Sequence, residues 1–414
     1  MTPNKYPTSL FSSNLEFKNE NTYGGQLSIA GCSAETLVKE FGSPLYVIDQ
    51  DDFYLRTKAW KSALDNEFEN NNLYYAAKSF ISIEVAKWLK ELNVGLDVCS
   101  GGELLVALAA KFPAANIEFH GNNKSESEIK LAIDSGVGVI VIDSFDEIRR
   151  VSSIAKISNK VQKVYLRLTP GVEVHTHEFI STAHEDVKFG FSIASGSAND
   201  AIDKCMNESS LELAGIHCHI GSQIFEVDGF ITAAQRLLEV LASFKNKYGK
   251  ELAELNIGGG YGIAYTRDEV AISPELVVPA VAKIIKSECQ RLKISIPKIS
   301  IEPGRAIVGP TTTTIYEVGT SKDVTLEDGS IRRYISVDGG MSDNIRPALY
   351  GATYSAYLAN RTSTANIIKT RVVGKHCESG DVLISNIDLP DDIKAGDLLA
   401  TPATGAYGRS MASN

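Results

Sequence analysis

The sequence has no surplus of positive charge, no clustered cysteines and no long apolar run, and each absence removes a class of function. Its 41 Lys and Arg against 51 Asp and Glu leave a net charge of −10, which argues against a general affinity for nucleic acid, because such binding rests on cations that neutralise phosphates. The six cysteines, at 32, 99, 205, 218, 289 and 377, show no CxxC spacing. Neither a zinc cluster nor a disulfide scaffold is therefore expected, and no metal is assigned. No apolar stretch approaches the roughly 18 to 20 residues of a membrane span. The start, "MTPNKYPTSLFSS", lacks the basic-then-apolar order of a secretory signal. The expectation is a cytoplasmic protein acting on a small molecule.

What the chain does contain is a repeated alternation of strand and helix patterns. Short apolar runs occur at 73 to 77, 95 to 99, 117 to 121, 137 to 143, 163 to 168, 213 to 220, 254 to 260 and 298 to 304. Between them lie apolar residues at helical spacing, such as Ile81, Val85, Leu89 and Leu92, or Phe230, Leu237, Leu241 and Phe244. Eight such strands point to an α/β fold with a closed (β/α)8 TIM-like barrel over residues 50–305. An open doubly wound sheet is the rival. Residues 306–414 read instead as strands and turns ("TTTTIYEVG", "RRYISVDGG", "GDVLISN"), and "SPLYVIDQ" at 43 to 50 is a further strand before the barrel. A C-terminal β-rich domain, a sandwich or barrel to which residues 1–49 contribute, is the second expectation.

In a (β/α)8 barrel the functional side chains stand at the C-terminal ends of the strands. Polar residues fall there repeatedly: Lys78, Asp97, His120 with Asn122, Asp143, Arg167, His217 and His219, Gly258 to Gly260, and Glu302 with Arg305. Asp143, opening "DSFDEI", reads equally as a helix cap or a ligand; His120 and Arg167 have satisfied structural roles as alternatives. His217 and His219 alternate and so share a face of their strand, with both lining the pocket or one lying behind it.

Three of these positions make a chemical set. A lysine directly after an apolar strand is unusual, since lysine is rarely buried unless paired. "GGGYG" at 258 to 262 is a loop whose backbone can approach an anion, although it has the spacing of neither the dinucleotide fingerprint nor the Walker loop. Glu302 is a carboxylate able to hold a pyridinium nitrogen. A lysine amine, a phosphate nest and such an acid are the protein parts that pyridoxal 5'-phosphate requires. An acid at the ring nitrogen makes the ring a good acceptor of electrons, which leans toward decarboxylation.

The motifs "YYAAKSF", "GLDVCSGGEL", "HCHIGSQI", "NIGGGYG", "EPGR", "DGGMSDNIRPALYGA", "CESGD" and "TGAYGRSMASN", in this order, resemble the diaminopimelate decarboxylase family of the fold-type III pyridoxal-phosphate enzymes. "THEFISTAHEDVKFGF" at 176 to 191 adds to the likeness, which runs from about residue 25 to the end. The resemblance implies decarboxylation of meso-2,6-diaminopimelate at its D centre to L-lysine, the last step of lysine biosynthesis, by a homodimer with shared active sites. It implies Lys78 as the imine lysine and Asp97 among the cofactor contacts. His219 would stack on the ring, with Ser222, Gly258, Gly259, Gly260 and Tyr407 around the phosphate and Glu302 at the ring nitrogen. Arg305, a cofactor contact as well, would join Arg346 and Tyr350 at the substrate's distal end. Catalytic Cys377, as proton donor or gate, and Glu378, reading the distal ammonium, would come from the partner chain.

Arginine suits a substrate with a second carboxylate, because its fork makes paired hydrogen bonds. A decarboxylase of ornithine or arginine, the alternative, has no such carboxylate to bind, and Arg346 separates the two readings. A catalytically dead relative is the other class, against which Lys78, Glu302 and Cys377 all stand. Family members usually continue beyond "SMASN" with a Tyr-Asn pair and a further segment. Either the sequence is cut short at Asn414 or a truncation removes part of the cofactor pocket, and both stay open.

Overall fold

The computed structural model describes residues 10–18, 23–172 and 188–413; the stretch 176 to 187, to which part of the family likeness was attached, lies outside the described residues. The chain forms two compact units. One comprises Thr57–Gly262 and Ile272–Gly304; the other takes the described residues up to Arg56, then Ile263–Ala271, and those from Arg305 onward. Helix Gln50–Glu67 carries the chain across the boundary after Arg56.

The first unit is a closed barrel. Its eight strands are β1 (Asn71–Ala76), β2 (Gly95–Val98), β3 (Ile117–Phe119), β4 (Val139–Ile142), β5 (Gln162–Thr169), β6 (Leu211–His217), β7 (Glu254–Asn256) and β8 (Lys298–Ile301). Each is parallel to the next, and Ile299–Ile301 of β8 returns to pair with Asn71–Leu73 of β1. That last pairing excludes the open sheet. Strands such as "VIVI" of β4 are buried at every position, as expected where helices cover the outside of a parallel sheet and side chains fill its inside.

Local sequence explains where the helices begin. Ser82, Ser100, Ser125 and Ser144 each end a βα loop, and each accepts the backbone N–H three residues on, at Val85, Glu103, Glu128 and Glu147. Ser144 and not Asp143 is thus the cap, which frees Asp143 to face Arg167. The periodic residues Phe230, Leu237, Leu241 and Phe244 are all buried on helix Asp228–Tyr248. Truncating one of these leucines to alanine would cost about 2–5 kcal/mol in lost burial and cavity.

The second unit is built on a long strand, Thr312–Thr325. Its first half pairs antiparallel with Leu45–Ile48 on one side and Leu398–Thr401 on the other, and its second half pairs with Ile331–Val337. Ile367–Val373 and Val382–Pro390 extend the sheet. The strands read from the tail sequence are there, but "RPALY" forms a short helix, Arg346–Tyr350, with Pro347 in its first turn. Among the described residues no helix is long and apolar enough to cross a membrane.

Candidate active site

At the C-terminal end of the barrel, Ala77 N donates to Asp97 O at 2.8 Å. This backbone link sets the residue after β1 beside the end of β2. Lys78 Nζ consequently meets Asp97 Oδ2 at 2.8 Å, the lysine side chain 31% exposed and the aspartate fully buried. Burial alone would raise the Asp97 carboxyl, but the cations of His120 and Lys78 outweigh it and hold it at about 2. His120 itself is pushed down to about 4 by burial, against the pull of Asp97 and Glu302, so it is neutral at pH 7 and becomes the cation beside Asp97 only toward pH 4, before Asp97 itself titrates.

Glu302, after β8, is fully enclosed. Its Oε1 accepts from Asn256 Nδ2 at 2.8 Å and faces His217 Nε2 at 3.2 Å and His120 Nε2 at 3.3 Å. Burial raises this carboxyl, with His120 offsetting part of the effect. Such a carboxylate gains much from a cationic partner, because its own desolvation is already complete. His120, His217 and Glu302 bring ligand-type atoms within 4.8 Å of one another; neither histidine Nε2 makes a hydrogen bond to the carboxylate it faces, and we read the group as a polar cluster at the end of the barrel.

Arg167 on β5 lies over the Phe189 ring at 4.3 Å, with Asp143 Oδ1 3.8 Å from its Nε. It is a paired barrel polar beside the cluster. The loop after β7 explains its glycines by contact. A Cβ on Gly258 (φ +73) would fall 2.3 Å from Cys218 O, and one on Gly260 (φ +109) 2.2 Å from Gly221 O, so only glycine allows this approach to the loop after β6. Gly258 N donates to Asn256 Oδ1 at 2.8 Å, and Gly259 N reaches His219 Nδ1 at 3.4 Å. The loop therefore seats the His219 ring. His217, two residues earlier on the same face, lies behind it against Glu302.

These features fit pyridoxal phosphate on structural grounds. Among the described residues, Asp97 Oδ1, His120 Nε2 and both ring nitrogens of His217 are buried without a hydrogen-bond partner, a costly condition in a protein interior. A polar ring with a cationic nitrogen meets that condition. Lys78 supplies a partly exposed amine beside the cluster, and the glycine loop is backbone of the kind that can approach an anion.

Within the β-rich unit, a second cluster gathers two arginines and several tyrosines. Arg346, 6% exposed, donates from Nη1 to Tyr354 Oη and lies 4.6 Å from the centroid of Tyr265. Among the described residues no carboxylate pairs with it. Arg305 Nη1 donates to Tyr265 Oη, with its guanidinium 4.7 Å over the Tyr407 ring. Tyr354 is pushed up to about 12 by burial, with the Arg346 charge opposing. Cys377 and Glu378 are exposed. Their loop is folded around Asp381, which accepts from Met341 N at 2.6 Å and His376 N at 2.9 Å.

Residues 50–309 match the family described as pyridoxal-dependent decarboxylase, pyridoxal binding domain. Over 396 residues the chain is 50% identical to diaminopimelate decarboxylase of Mycobacterium tuberculosis, covering 94% of this chain and 87% of that one. The chain belongs to the diaminopimelate decarboxylase family. The Bacillus subtilis member is 44% identical over 390 residues, 94% of this chain and 88% of its own. Among solved structures, the family's M. jannaschii enzyme in complex with L-lysine superposes with a TM-score of 0.89 at 29% identity, covering 97% of this chain and 90% of that one. A Vibrio vulnificus lysine/ornithine decarboxylase shares the fold at 22% identity and a TM-score of 0.75, covering 92% of this chain and 93% of that one.

For a member of this family, the barrel brings together Lys78, Asp97, His219, Glu302 and the glycine loop, and the β-rich unit brings together Arg305, Arg346 and Tyr407. Two residues of the barrel cluster were missed from sequence, Glu118 and Asn256. Both carried a signal: each lies two residues before a position already singled out, His120 and Gly258, and period two puts alternate strand residues on one face.

Proposed function

We propose that this chain decarboxylates meso-2,6-diaminopimelate at its D centre, giving L-lysine and CO2 with pyridoxal 5'-phosphate, as the lysine-forming step of lysine biosynthesis. Membership of the family supports this. The observation that carries the substrate choice is Arg346, a buried cation among tyrosines with no acid paired to it among the described residues. Ornithine and arginine have no second carboxylate to fill such a site.

When bound, the cofactor supplies the acceptor for the electron pair released as the bond from Cα to the carboxylate breaks. Lys78 would be the amine that holds it, and Asp97, 2.8 Å from Lys78 Nζ, balances the charge of that amine. Glu302 keeps a proton on the ring nitrogen. His219, whose Nδ1 takes up the Gly259 N–H, would pack on the ring, while Ser222, Gly260 and Tyr407 would surround the phosphate. Gly258 spends its N–H on Asn256 and acts by shaping the loop. Arg346, with Arg305 and Tyr350, binds the distal carboxylate. Cys377 protonates Cα or gates it, and Glu378 reads the distal ammonium, both from the partner subunit of a homodimer. Their exposure supports service to another chain's site. The partition proposed for function is a barrel of residues 50–305 with flanking segments 1–49 and 306–414, from which the compact units differ at residues 50–56 and Ile263–Ala271, and the proposed location is cytoplasmic.

The test is CO2 release by the pyridoxal-phosphate-loaded protein with meso-diaminopimelate, L-ornithine and L-arginine offered separately. Turnover of diaminopimelate alone is expected. Loss of all turnover in Lys78→Ala with the chain still folded completes it; comparable rates with ornithine would overturn the reading of Arg346.

A further inference from the structure

Glu118 is a buried acid for which the reaction above has no use. It stands on β3, fully enclosed, two residues before His120. One side-chain amide ties it to Glu302: Asn256 Nδ2 donates to Glu118 Oε2 at 2.7 Å and to Glu302 Oε1 at 2.8 Å, one hydrogen for each. Asn256 Oδ1 in turn accepts from Gly258 N at 2.8 Å. From another side, His120 Nε2 faces the same two oxygens at 3.5 Å and 3.3 Å. Two carboxyls thus meet across an amide and an imidazole.

The other titratable groups facing Glu118 among the described residues are Tyr74, whose hydroxyl leans toward it as a donor, Tyr165, Asp97 and Glu254. None is a cation, and His120 is neutral at pH 7. Two buried acids that share one donor cannot both ionise, so the pair holds a proton. Glu118 is the better place for it. Its Oε1 is buried without a hydrogen-bond partner among the described residues, which costs far more for a charged oxygen than for a neutral one. Burial, then the charges of Glu302, Asp97 and Glu254, also push it well above the carboxylate range, with the Tyr74 hydroxyl opposing in part.

We propose that Glu118 is a positioning residue held as a neutral carboxylic acid, which through Asn256 aligns Glu302 and the glycine loop. It leaves Glu302 as the one negative charge turned toward the cofactor's ring nitrogen. The inference rests on the proposed role of Glu302.

The experiment uses the holoenzyme loaded with pyridoxal phosphate carrying nitrogen-15 in its ring, together with infrared spectra of the carboxyl region. The wild type is expected to show the carbonyl stretch of a protonated carboxylic acid that is lost in Glu118→Gln. That variant keeps the ring nitrogen protonated and kcat within about twofold, because glutamine offers Asn256 the same acceptor. In Asn256→Ala the nitrogen-15 signal moves toward the unprotonated ring, and kcat falls about tenfold or more with KM little changed, as for loss of a hydrogen bond to a charged group. A structural role alone would lower the melting temperature without moving that signal. The proposal is overturned by identical carboxyl spectra of wild type and Glu118→Gln, by a unit or more of shift in the rate–pH profile of Glu118→Gln, or by an unmoved ring signal in Asn256→Ala. If Asn256→Ala does not fold, the infrared comparison still locates the proton. An unprotonated ring in the wild type removes the role of Glu302 itself, and the inference with it.

Discussion

Replacing Arg346 by alanine removes a buried guanidinium whose partners are a tyrosine hydroxyl and two aromatic faces. If a substrate carboxylate completes this site, the variant leaves that carboxylate desolvated and unpaired. Truncating one partner of a buried, hydrogen-bonded charge pair costs about 2–5 kcal/mol. At about 1.36 kcal/mol per decade that is a fall of roughly 30- to 5,000-fold in kcat/KM for meso-diaminopimelate. Arg346→Lys keeps the charge without the fork and is expected to fall between the two. Fold stability changes much less, by about 1 kcal/mol for the hydrogen bond to Tyr354, which thermal unfolding can check. The decisive control is D-lysine, which has the D centre and the distal ammonium but no distal carboxylate. A double-mutant-style cycle over enzyme and substrate isolates the guanidinium–carboxylate term from everything else the mutation disturbs. CO2 release from D-lysine by Arg346→Ala should be within a few-fold of wild type. An equal loss with both substrates would mean that Arg346 holds the fold of its unit and does not read the carboxylate.

Other expectations follow from the same geometry. His120 is lowered to about 4 by burial, against roughly 6.5 in the unfolded chain; its contribution to stability is therefore complete above pH 6.5 and lost as the pH falls toward 4. His120→Gln should flatten denaturant-measured stability across that window by a few kcal/mol, and an unchanged slope would count against a buried neutral histidine. Gly260→Ala forces a Cβ to within 2.2 Å of Gly221 O at φ +109; a loss of a few kcal/mol and of cofactor retention is expected, read by calorimetry and by absorbance after gel filtration. Mixing inactive Lys78→Ala and Cys377→Ala chains should restore about a quarter of wild-type activity if the sites of a two-fold dimer are shared; no recovery under conditions that exchange subunits would place Cys377 in its own chain's site.

The barrel was legible because its signals are local. Period-two and period-3.6 patterns marked eight strands and their helices, the residues ending several strands marked the polar cluster at one end of the barrel, and the order of motifs marked the family. Lys78, Glu302 and the run Gly258 to Gly260 follow from chemistry that needs those residue types in that company. Tertiary structure was needed wherever a role depends on a neighbour far away in sequence. Ser144 in place of Asp143 as the helix cap, Ile263–Ala271 joining the β-rich unit and carrying Tyr265 to Arg305 and Arg346, and Asn256 joining Glu118 to Glu302 all depend on such neighbours. So does the reason for the glycines, whose missing Cβ atoms make room for backbone from another loop. Sequence alone thus determined the fold class, the cofactor and the chemistry. Folding decided which buried charges share a proton and which partners each side chain keeps, because burial and proximity set ionisation and neither is a property of a residue by itself.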